Sequence, residues 1–202
     1  MKSEVEAMKT VNIMIVGVGG QGSLLASKLL GHILIKQSYD VKVSEIHGMS
    51  QRGGSVSTQI RFGQKVYAPI IGKGQADVIV AFEKMEALRW IEYLKKDGRM
   101  VINDFEIPSV PILMGAASYP QGILEELQGK VRASVFKASE IASQLGNPKA
   151  MNIVLLGALV EAMQIPGEIQ WEEIIRSTVK PAFADLNVAA FKAGQEQVRM
   201  NA

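Results

Sequence analysis

The chain has 202 residues, of which 48% are hydrophobic and 21% are charged, and its basic and acidic residues nearly balance at a net charge of +2. This length suits one domain, or one domain with an appended element, around a well-buried core. The absence of a basic block argues against binding to nucleic acid. No apolar run reaches the roughly 18 residues that span a bilayer, so we expect no membrane contact. Residues 1–10 lack an apolar signal core, and we expect a cytoplasmic protein.

The chain contains no cysteine. This excludes disulfides, a thiol nucleophile and thiolate zinc sites. Because cysteine thiolates hold iron–sulfur clusters in nearly every case, we expect no cluster on this chain. Only two histidines, His32 and His47, are present. A histidine-based metal site or a Ser-His-Asp triad would have to use one of them, and we predict that the chain itself holds no metal.

The first elements in chain order are a predicted strand, a helix and a second strand. Residues 11–16 form a compact apolar run with β-branched character, which is typical of a buried strand. A helix is predicted over residues 21–37 and a second strand over residues 40–45. We expect the apolar residues of the helix to share one broad face. These residues are Leu24, Leu25, Leu29, Ile33 and Leu34.

The middle of the chain predicts three more strands and one long helix. The strands are predicted over residues 55–62, 77–82 and 99–103. The first of them alternates in the manner of a half-buried strand, and residues 66–68 are expected to pair back on it as a hairpin. The helix is predicted over residues 84–96, where Glu92 and Lys96 have the spacing of a favourable i,i+4 ion pair.

The last part of the chain becomes wholly helical. Residues 104–121 contain three prolines and predict an irregular segment, and residues 131–136 predict the last strand. The predicted helices cover residues 122–128, 138–145, 150–163, 171–178 and 181–195. We therefore predict an α/β protein, a single domain over residues 1–202, with three α/β/α layers and a mostly parallel Rossmann-like sheet. Residues 1–10 are an N-terminal extension, and residues 138–195 form the helical C-terminal third.

A first glycine-rich loop, Gly17-Val-Gly-Gly-Gln-Gly22, follows the first predicted strand and opens the first helix. This is the setting of the dinucleotide fingerprint, in which a tight turn brings backbone N–H groups close to a phosphate. The candidate cofactor-binding residues here are Gly17, Gly19, Gly20, Gln21 and Gly22. Alternatively, the glycines only permit close packing of strand and helix.

A stand-alone NAD(P)-binding oxidoreductase, or a nucleotide-sensing module, is the alternative function that this first loop suggests. Glu45 ends the second predicted strand, roughly where an acid that binds a ribose would lie. However, the sequence after the loop lacks a recognisable acid–base set of a dehydrogenase. The fingerprint by itself therefore indicates a ligand near the loop more strongly than it indicates hydride transfer.

A second glycine-rich loop runs from His47 to Ser55 and reads His-Gly-Met-Ser-Gln-Arg-Gly-Gly-Ser. Arg52, beside glycine, can approach an anion or a carboxylate with little steric hindrance. The candidate binding residues here are Ser50, Gln51, Arg52 and Gly53. An interface salt bridge is an equally open reading of Arg52, and His47 can be an ordinary hydrogen-bonding residue rather than a titrating one.

Both loops follow predicted strands, and in an open α/β sheet ligands gather where the strands end. We therefore expect the two loops to form one functional edge. Glu83 follows the strand over residues 77–82 and would lie on the same edge. It is a catalytic candidate together with Arg52 and His47, although an acid in the first turn of a helix is also favoured by the helix dipole alone.

Taken together, the two loops resemble those of the gamma-type subunits of 2-oxoacid:ferredoxin oxidoreductases, and they look closest to the beta subunits of the indolepyruvate enzymes. The resemblance covers residues 11–194. It includes Glu83 with the run Glu86-Ala-Leu-Arg89, Asn152 in the run Met-Asn-Ile-Val-Leu-Leu-Gly, and the ending that begins at Asn187. It implies a complex that oxidatively decarboxylates a 2-oxoacid, such as the aryl pyruvate indolepyruvate, to an acyl-CoA.

The resemblance also implies how the work of such a complex is divided. Thiamine diphosphate with Mg and the 4Fe–4S clusters would lie on a larger partner subunit, ferredoxin would accept the electrons, and coenzyme A would be the co-substrate. This chain, with no cysteine and no Gly-Asp-Gly stretch, would be inactive alone. The loop at residues 17–22 would approach a phosphate or the pantetheine of coenzyme A, and the loop at residues 49–54 would face the partner near the thiamine. A homodimer of the isolated chain stays an alternative.

Overall fold

A computed structural model describes residues 9–47, 53–165 and 169–200. Within these ranges the chain forms one six-stranded sheet with the order β2-β3-β1-β4-β5-β6. The strands are β1 (Val11–Val18), β2 (Asp40–His47), β3 (Ser55–Gly63), β4 (Ala76–Ala81), β5 (Leu94–Asn103) and β6 (Arg132–Phe136). The helices are α1 (Ser23–Lys36), α2 (Lys84–Trp90), α3 (Val110–Leu113), α4 (Ile123–Lys130), α5 (Ala138–Gln144), α6 (Met151–Met163), α7 (Trp171–Thr178) and α8 (Ala184–Met200).

The sheet is mostly parallel, as predicted, but β3 interrupts the parallel order. Strands β1, β4, β5 and β6 pair in parallel, whereas β3 is antiparallel to both of its neighbours, β1 and β2. Four consecutive residues of β3, from Ser57 to Ile60, are all buried, so this stretch is covered on both faces of the sheet. The prediction of a half-buried strand is therefore wrong.

The sheet separates two apolar layers. Along β1, Ile13 and Ile15 face the larger core beneath α1, α6 and α8, while Met14 and Val16 face the smaller core beneath α2 and α4. This alternation follows from the two-residue period of a strand that is covered on both sides. The α/β fold with three layers and a helical C-terminal part is confirmed. No described helix is both long and apolar enough to cross a membrane.

The predicted helix over residues 84–96 is wrong in its second half. Helix α2 ends at Trp90, residues 91–93 form a single 3₁₀ turn, and β5 begins at Leu94. Pairing of β5 with β4 overrides the helical periodicity at this point. As a result, Glu92 forms an ion pair with Lys73 at 2.7 Å instead of with Lys96.

Two smaller expectations also fail. Residues 66–68 form no strand, and side chains hold them instead: Asp40 accepts a hydrogen bond from the Val66 N–H at 2.9 Å, and Arg61 donates to the Ala68 carbonyl at 2.9 Å. On α1, Leu24 and Leu25 are exposed rather than part of a buried face. Both leucines lie in the first turns of α1, where the helix starts beside the glycine loops.

Candidate functional site

The two glycine loops are hydrogen-bonded to each other in the part of the chain that the structure describes. The N–H of Gly19 donates to the carbonyl of Gly54 at 2.9 Å, and the N–H of Gly53 donates to the carbonyl of Gly19 at 3.2 Å. These bonds continue the antiparallel pairing of β1 and β3 beyond its last pair, Val18 with Ser55. The expectation that both loops form one edge of the sheet is confirmed for these residues.

Gln21 binds within its own loop. Its Oε1 accepts from the Val18 N–H at 2.8 Å, and its Nε2 donates to the Phe82 carbonyl at 2.8 Å. The side chain thus ties the first loop to the end of β4. Gly17 is needed for the same contact, because a Cβ at this position would lie 2.9 Å from Gln21 Oε1 and from Phe82 Cβ. A direct contact of Gln21 with a ligand stays a prediction.

The Phe82 carbonyl joins three parts of this edge. Besides Gln21, it accepts a hydrogen bond from Asn103 Nδ2 at 3.1 Å. Asn103 is fully buried, and its Oδ1 accepts from the Ala138 N–H at 2.9 Å. The ends of β4 and β5, the start of α5 and the first glycine loop are therefore held in one fixed arrangement.

A cavity of about 500 Å³ opens between the first loop and the ends of β2 and β3. It is lined by Gly19, Gly20, Gly22, Ser23, Leu24, Glu45, Ile46, His47, Val56, Ser57 and Thr58. Residues of the first turn of α1 line it, and no side chain caps that helix at Gly22. Helix N-termini leave backbone N–H groups without partners, which makes them suited to oxygen-bearing ligands.

Ser57 is the polar group in this cavity that sequence reasoning missed. It is 2% exposed, and its Oγ has no hydrogen-bond partner. Buried hydroxyl groups normally have partners, so an orphaned one in a residue of the cavity wall is an exception. The Oγ atom is itself covered, so a ligand in the cavity would reach it only after the side chain rotates. The sequence does not single out Ser57, because Ser55, Ser57, Gln59 and Arg61 are all polar and share one face of the alternating strand.

The remaining predicted residues of the second loop are only partly described. His47 ends β2, is exposed and lines the cavity. Gly53 has a φ of +77°, a left-handed conformation that favours glycine. Ser50, Gln51 and Arg52 lie outside the described residues, so their roles stay predictions. Within residues 9–47, 53–165 and 169–200, no group of side chains has the composition of a metal site.

Glu83 is 1% exposed and fully engaged in hydrogen bonds. Its Oε2 accepts from the Glu86 N–H at 2.9 Å and so caps α2, and its Oε1 accepts from the hydroxyl of Tyr119 and from the Ile107 N–H at 3.3 Å. Burial, and next the bond to Glu83, raise the pKa of Tyr119 well above its usual value. The carboxylate therefore has a structural role at the start of α2, and its catalytic role stays a prediction.

Glu86 is the second buried acid of α2 and connects this helix to the second glycine loop. Its carboxylate accepts from the hydroxyl of Ser55, the residue with which β3 begins. It also accepts from Arg89 Nε at 3.1 Å and from Trp90 Nε1 at 3.2 Å. The neighbouring hydrogen-bond donors compensate its charge, and α2 thereby fixes the end of the loop.

The strand order weakens the dinucleotide interpretation of the first loop. In a dinucleotide-binding unit, the second strand lies directly beside the first, so that its terminal acid reaches the ribose. Here β3 lies between β1 and β2. With strands about 4.8 Å apart, Glu45 starts from a strand roughly 10 Å away from β1 rather than from its neighbour.

Comparison with known proteins defines the class. The chain matches the model of the pyruvate ferredoxin/flavodoxin oxidoreductase family over residues 12–197, and it belongs to this family. It is 45% identical to the indolepyruvate oxidoreductase subunit IorB of Thermococcus kodakarensis, over 93% of this chain and 95% of that one. The gamma subunit of a keto/oxoacid ferredoxin oxidoreductase from Geobacter sulfurreducens has the same fold, with a TM-score of 0.70 at 23% identity, over 94% of this chain and 99% of that one.

One longer relative places the same module within a larger chain. The ketoisovalerate oxidoreductase subunit VorA of Methanothermobacter thermautotrophicus is 28% identical over 95% of this chain, but the match covers only 37% of VorA. In that relative, most of the polypeptide thus lies outside the region that corresponds to this chain.

Proposed function

We propose that this chain is the small, cluster-free subunit of an indolepyruvate:ferredoxin oxidoreductase. In this proposal a larger partner subunit carries thiamine diphosphate, Mg and the 4Fe–4S clusters, and the complex converts an aryl pyruvate to its acyl-CoA with ferredoxin as electron acceptor. The observation that carries the proposal is the pair of hydrogen-bonded glycine loops on one sheet edge, in a chain 45% identical to an IorB subunit. The absence of cysteine is consistent with clusters on another polypeptide.

The cavity beside the loops fits one part of coenzyme A better than the others. It offers backbone N–H groups at the start of α1 and apolar walls that include Leu24 and Val56. Its wall also contains Ser57, whose covered and orphaned hydroxyl we propose turns toward the ligand on binding. These groups suit the pantetheine arm, which is uncharged and carries amides. The described lining residues include Glu45 but no Lys or Arg, so a phosphate would need Arg52 or a cation of the partner. We therefore propose that the pantetheine part of coenzyme A enters this cavity.

The test of the whole proposal is reconstitution. The chain is purified alone and together with the cysteine-rich large subunit of the same organism, and indolepyruvate-dependent reduction of methyl viologen is measured with coenzyme A present. We expect activity only from the complex. Turnover by the isolated chain, or a failure of the two chains to form an active complex, would contradict the proposal.

Ser57→Ala tests the cavity separately. Removing a hydroxyl that has no partner leaves the stability of the folded chain nearly unchanged. If this hydroxyl binds coenzyme A, the KM for coenzyme A rises by about two- to tenfold, the effect of one hydrogen bond, while the KM for indolepyruvate stays the same. An unchanged KM for coenzyme A would contradict binding of coenzyme A in this cavity. It would not affect the proposal that the chain is the small subunit of the complex.

A further inference from the structure

One segment of the chain has no charged residue although it is exposed. From Ile107 to Leu124 there is no Asp, Glu, Lys or Arg, whereas 21% of the whole chain is charged. We call residues 107–118 the uncharged arm. It lies between β5 and α4 and contains the short helix α3. Exposed loops of folded proteins are usually polar, so this composition requires an explanation other than burial in the core.

The uncharged arm presents large apolar side chains to solvent. Val110, Leu113 and Met114 are 65%, 72% and 78% exposed. They lie next to one another on and just after α3, and the nearby Phe105 is also exposed. Single exposed apolar residues are common, but adjacent ones without intervening charges mark a surface that another molecule covers.

The arm has a defined conformation of its own. Helix α3 ends at Leu113 with Met114 as its C-cap, and the following Gly115 has a φ of +72°. The N–H of Gly115 donates to the Ile112 carbonyl at 3.0 Å, and the N–H of Ala116 donates to the Pro111 carbonyl at 2.9 Å. This is the hydrogen-bonding pattern of a Schellman C-cap, which closes the last helical turn. The apolar side chains are therefore presented in a fixed arrangement before any partner binds.

Both ends of the arm are fastened to the start of α2. The Lys84 N–H donates to the Phe105 carbonyl at 3.1 Å, and the Met85 N–H donates to the Tyr119 hydroxyl at 3.2 Å. Glu83 accepts from both ends, from Ile107 and from Tyr119. The buried carboxylate of Glu83 thus holds the two ends of the uncharged arm together. Since Glu86 on the same helix binds Ser55, α2 holds the arm and the second glycine loop on one edge.

The charges at the base of the arm are partly paired within the chain, with one lysine shared between two acids. Lys84 Nζ lies 3.4 Å from Asp104 and 2.5 Å from Glu106, the two acids that precede the arm. Residues 107–118 themselves contain no charged side chain, so the surface that they offer is uncharged and largely apolar. Its complement is an apolar groove rather than a charged patch, because a charge placed against it would lose water without gaining a partner.

We propose that the uncharged arm docks into an apolar groove on the larger subunit of the complex, and this inference rests on the proposed function. Two observations favour this occupant. The arm shares its edge with the glycine loops, where the proposed function places the partner's cofactor. In VorA the corresponding region accounts for only 37% of the length, so a module of this kind occurs joined to a larger amount of additional polypeptide.

The test compares two exposed apolar positions at opposite ends of the molecule. In one variant, Leu113→Lys and Met114→Lys place charges on the arm. In the control, Ile35→Lys changes a 60% exposed residue at the end of α1 that lies away from the glycine loops. The Kd for the purified large subunit is measured by biolayer interferometry, with size-exclusion chromatography and light scattering on each chain alone.

We expect the double variant to raise the Kd at least about tenfold, as the loss of a central apolar contact does, and the control to change it less than about twofold. An unchanged Kd for the double variant, while the unchanged chain binds and turns over, would overturn the docking inference alone. Failure of the unchanged chain to bind would overturn the proposed function as well.

A second copy of this chain is the competing occupant. If the isolated chain is a dimer that the double variant converts to a monomer, and the Kd for the large subunit is unaffected, the arm is a homodimer contact and the docking inference is wrong. If the isolated chain has the same mass with and without the substitutions and only the Kd rises, the arm contacts the larger subunit.

Discussion

At the crossing of α6 and α8 two glycines let helix backbones touch, whereas at the glycine-loop edge Gly20 and Gly53 turn the chain in open space. A Cβ on Gly157 would lie 2.0 Å from the Phe191 carbonyl oxygen, and one on Gly194 would lie 1.8 Å from the Val154 carbonyl oxygen. At the edge, Gly20 has a φ of +107°, and a Cβ there would meet nothing within 4 Å.

The two groups of glycines therefore differ in what they contribute: those at the helix crossing contribute to stability, and Gly20 contributes to the shape of the candidate site. At the helix crossing, the missing side chain allows close packing, which contributes to the stability of the core. At the edge, the same residue type gains no contact and costs conformational entropy on folding. What Gly20 provides is an unusual backbone direction and an unobstructed approach to the start of α1. The predictions below test this separation, from the largest expected effect to the smallest.

Gly194→Ala should destabilise the chain most. Its methyl group would overlap the Val154 carbonyl, which belongs to the backbone of α6 and cannot move aside without separating the helices. We expect the free energy of unfolding to fall by about 3 kcal/mol or more, measured by chemical denaturation. The matched control is Gly129→Ala on α4, where a Cβ meets nothing within 4 Å and φ is ordinary. There we expect a gain of about 0.5–1 kcal/mol.

Gln21→Ala should have the next largest effect. It removes both bonds that join the first loop to β4 and leaves the Val18 N–H without its acceptor. We expect a loss of about 2 kcal/mol, because a partly buried donor would remain unsatisfied. Denaturation curves check the loss. If stability were unchanged and only coenzyme A binding weakened, Gln21 would be a ligand contact rather than a brace of the loop.

Gly20→Ala should cost about 1 kcal/mol through backbone strain alone. The added methyl group meets no steric clash, since nothing lies within 4 Å of a Cβ at Gly20. In the reconstituted complex we expect turnover to fall more than this stability loss accounts for, because the loop must adopt its conformation for the ligand. If Gly20→Ala lost as much stability as Gly194→Ala, the glycines of the loop edge and of the helix crossing would not differ in role.

Tyr119→Phe is distinguished from the preceding changes by an effect on stability that depends on pH. The raised pKa of Tyr119 means that the folded state favours the neutral phenol. The stabilisation is therefore fully present below the unfolded-state pKa of about 10 and is lost as pH rises above it. We expect the stability difference between the two chains to be constant from pH 7 to 9 and to shrink at pH 10.5. A constant difference at all three values would refute this role of Tyr119.

Much of this protein could be predicted from local patterns. The apolar run that becomes β1, the glycine turn after it and the helix α1 follow from short-range residue preferences, because buried strands and helix starts have compact signatures. The position of the second glycine loop beside the first also followed, since successive strand ends meet at one edge. These patterns were sufficient for the fold class and for the edge on which the candidate site lies.

Long-range pairing decided the rest. The local sequence of residues 40–63 does not predict that β3 lies between β1 and β2, because strand order depends on partners distant in sequence. The end of α2 at Trp90 was set in the same way by pairing of β5 with β4. The role of Glu83 followed from Tyr119, which lies 36 residues away along the chain.

The sequence by itself determined the fold class, the lack of cluster ligands and the two glycine loops, since composition and local spacing record these directly. Only the tertiary structure decided that the Ser57 hydroxyl is buried beside a cavity without a hydrogen-bond partner, that Gln21 holds its own loop against β4, and that Glu83 binds both ends of the uncharged arm. Hydrogen-bond partners and exposure are properties of pairs of distant segments, and they exist only once the sheet has ordered those segments in space.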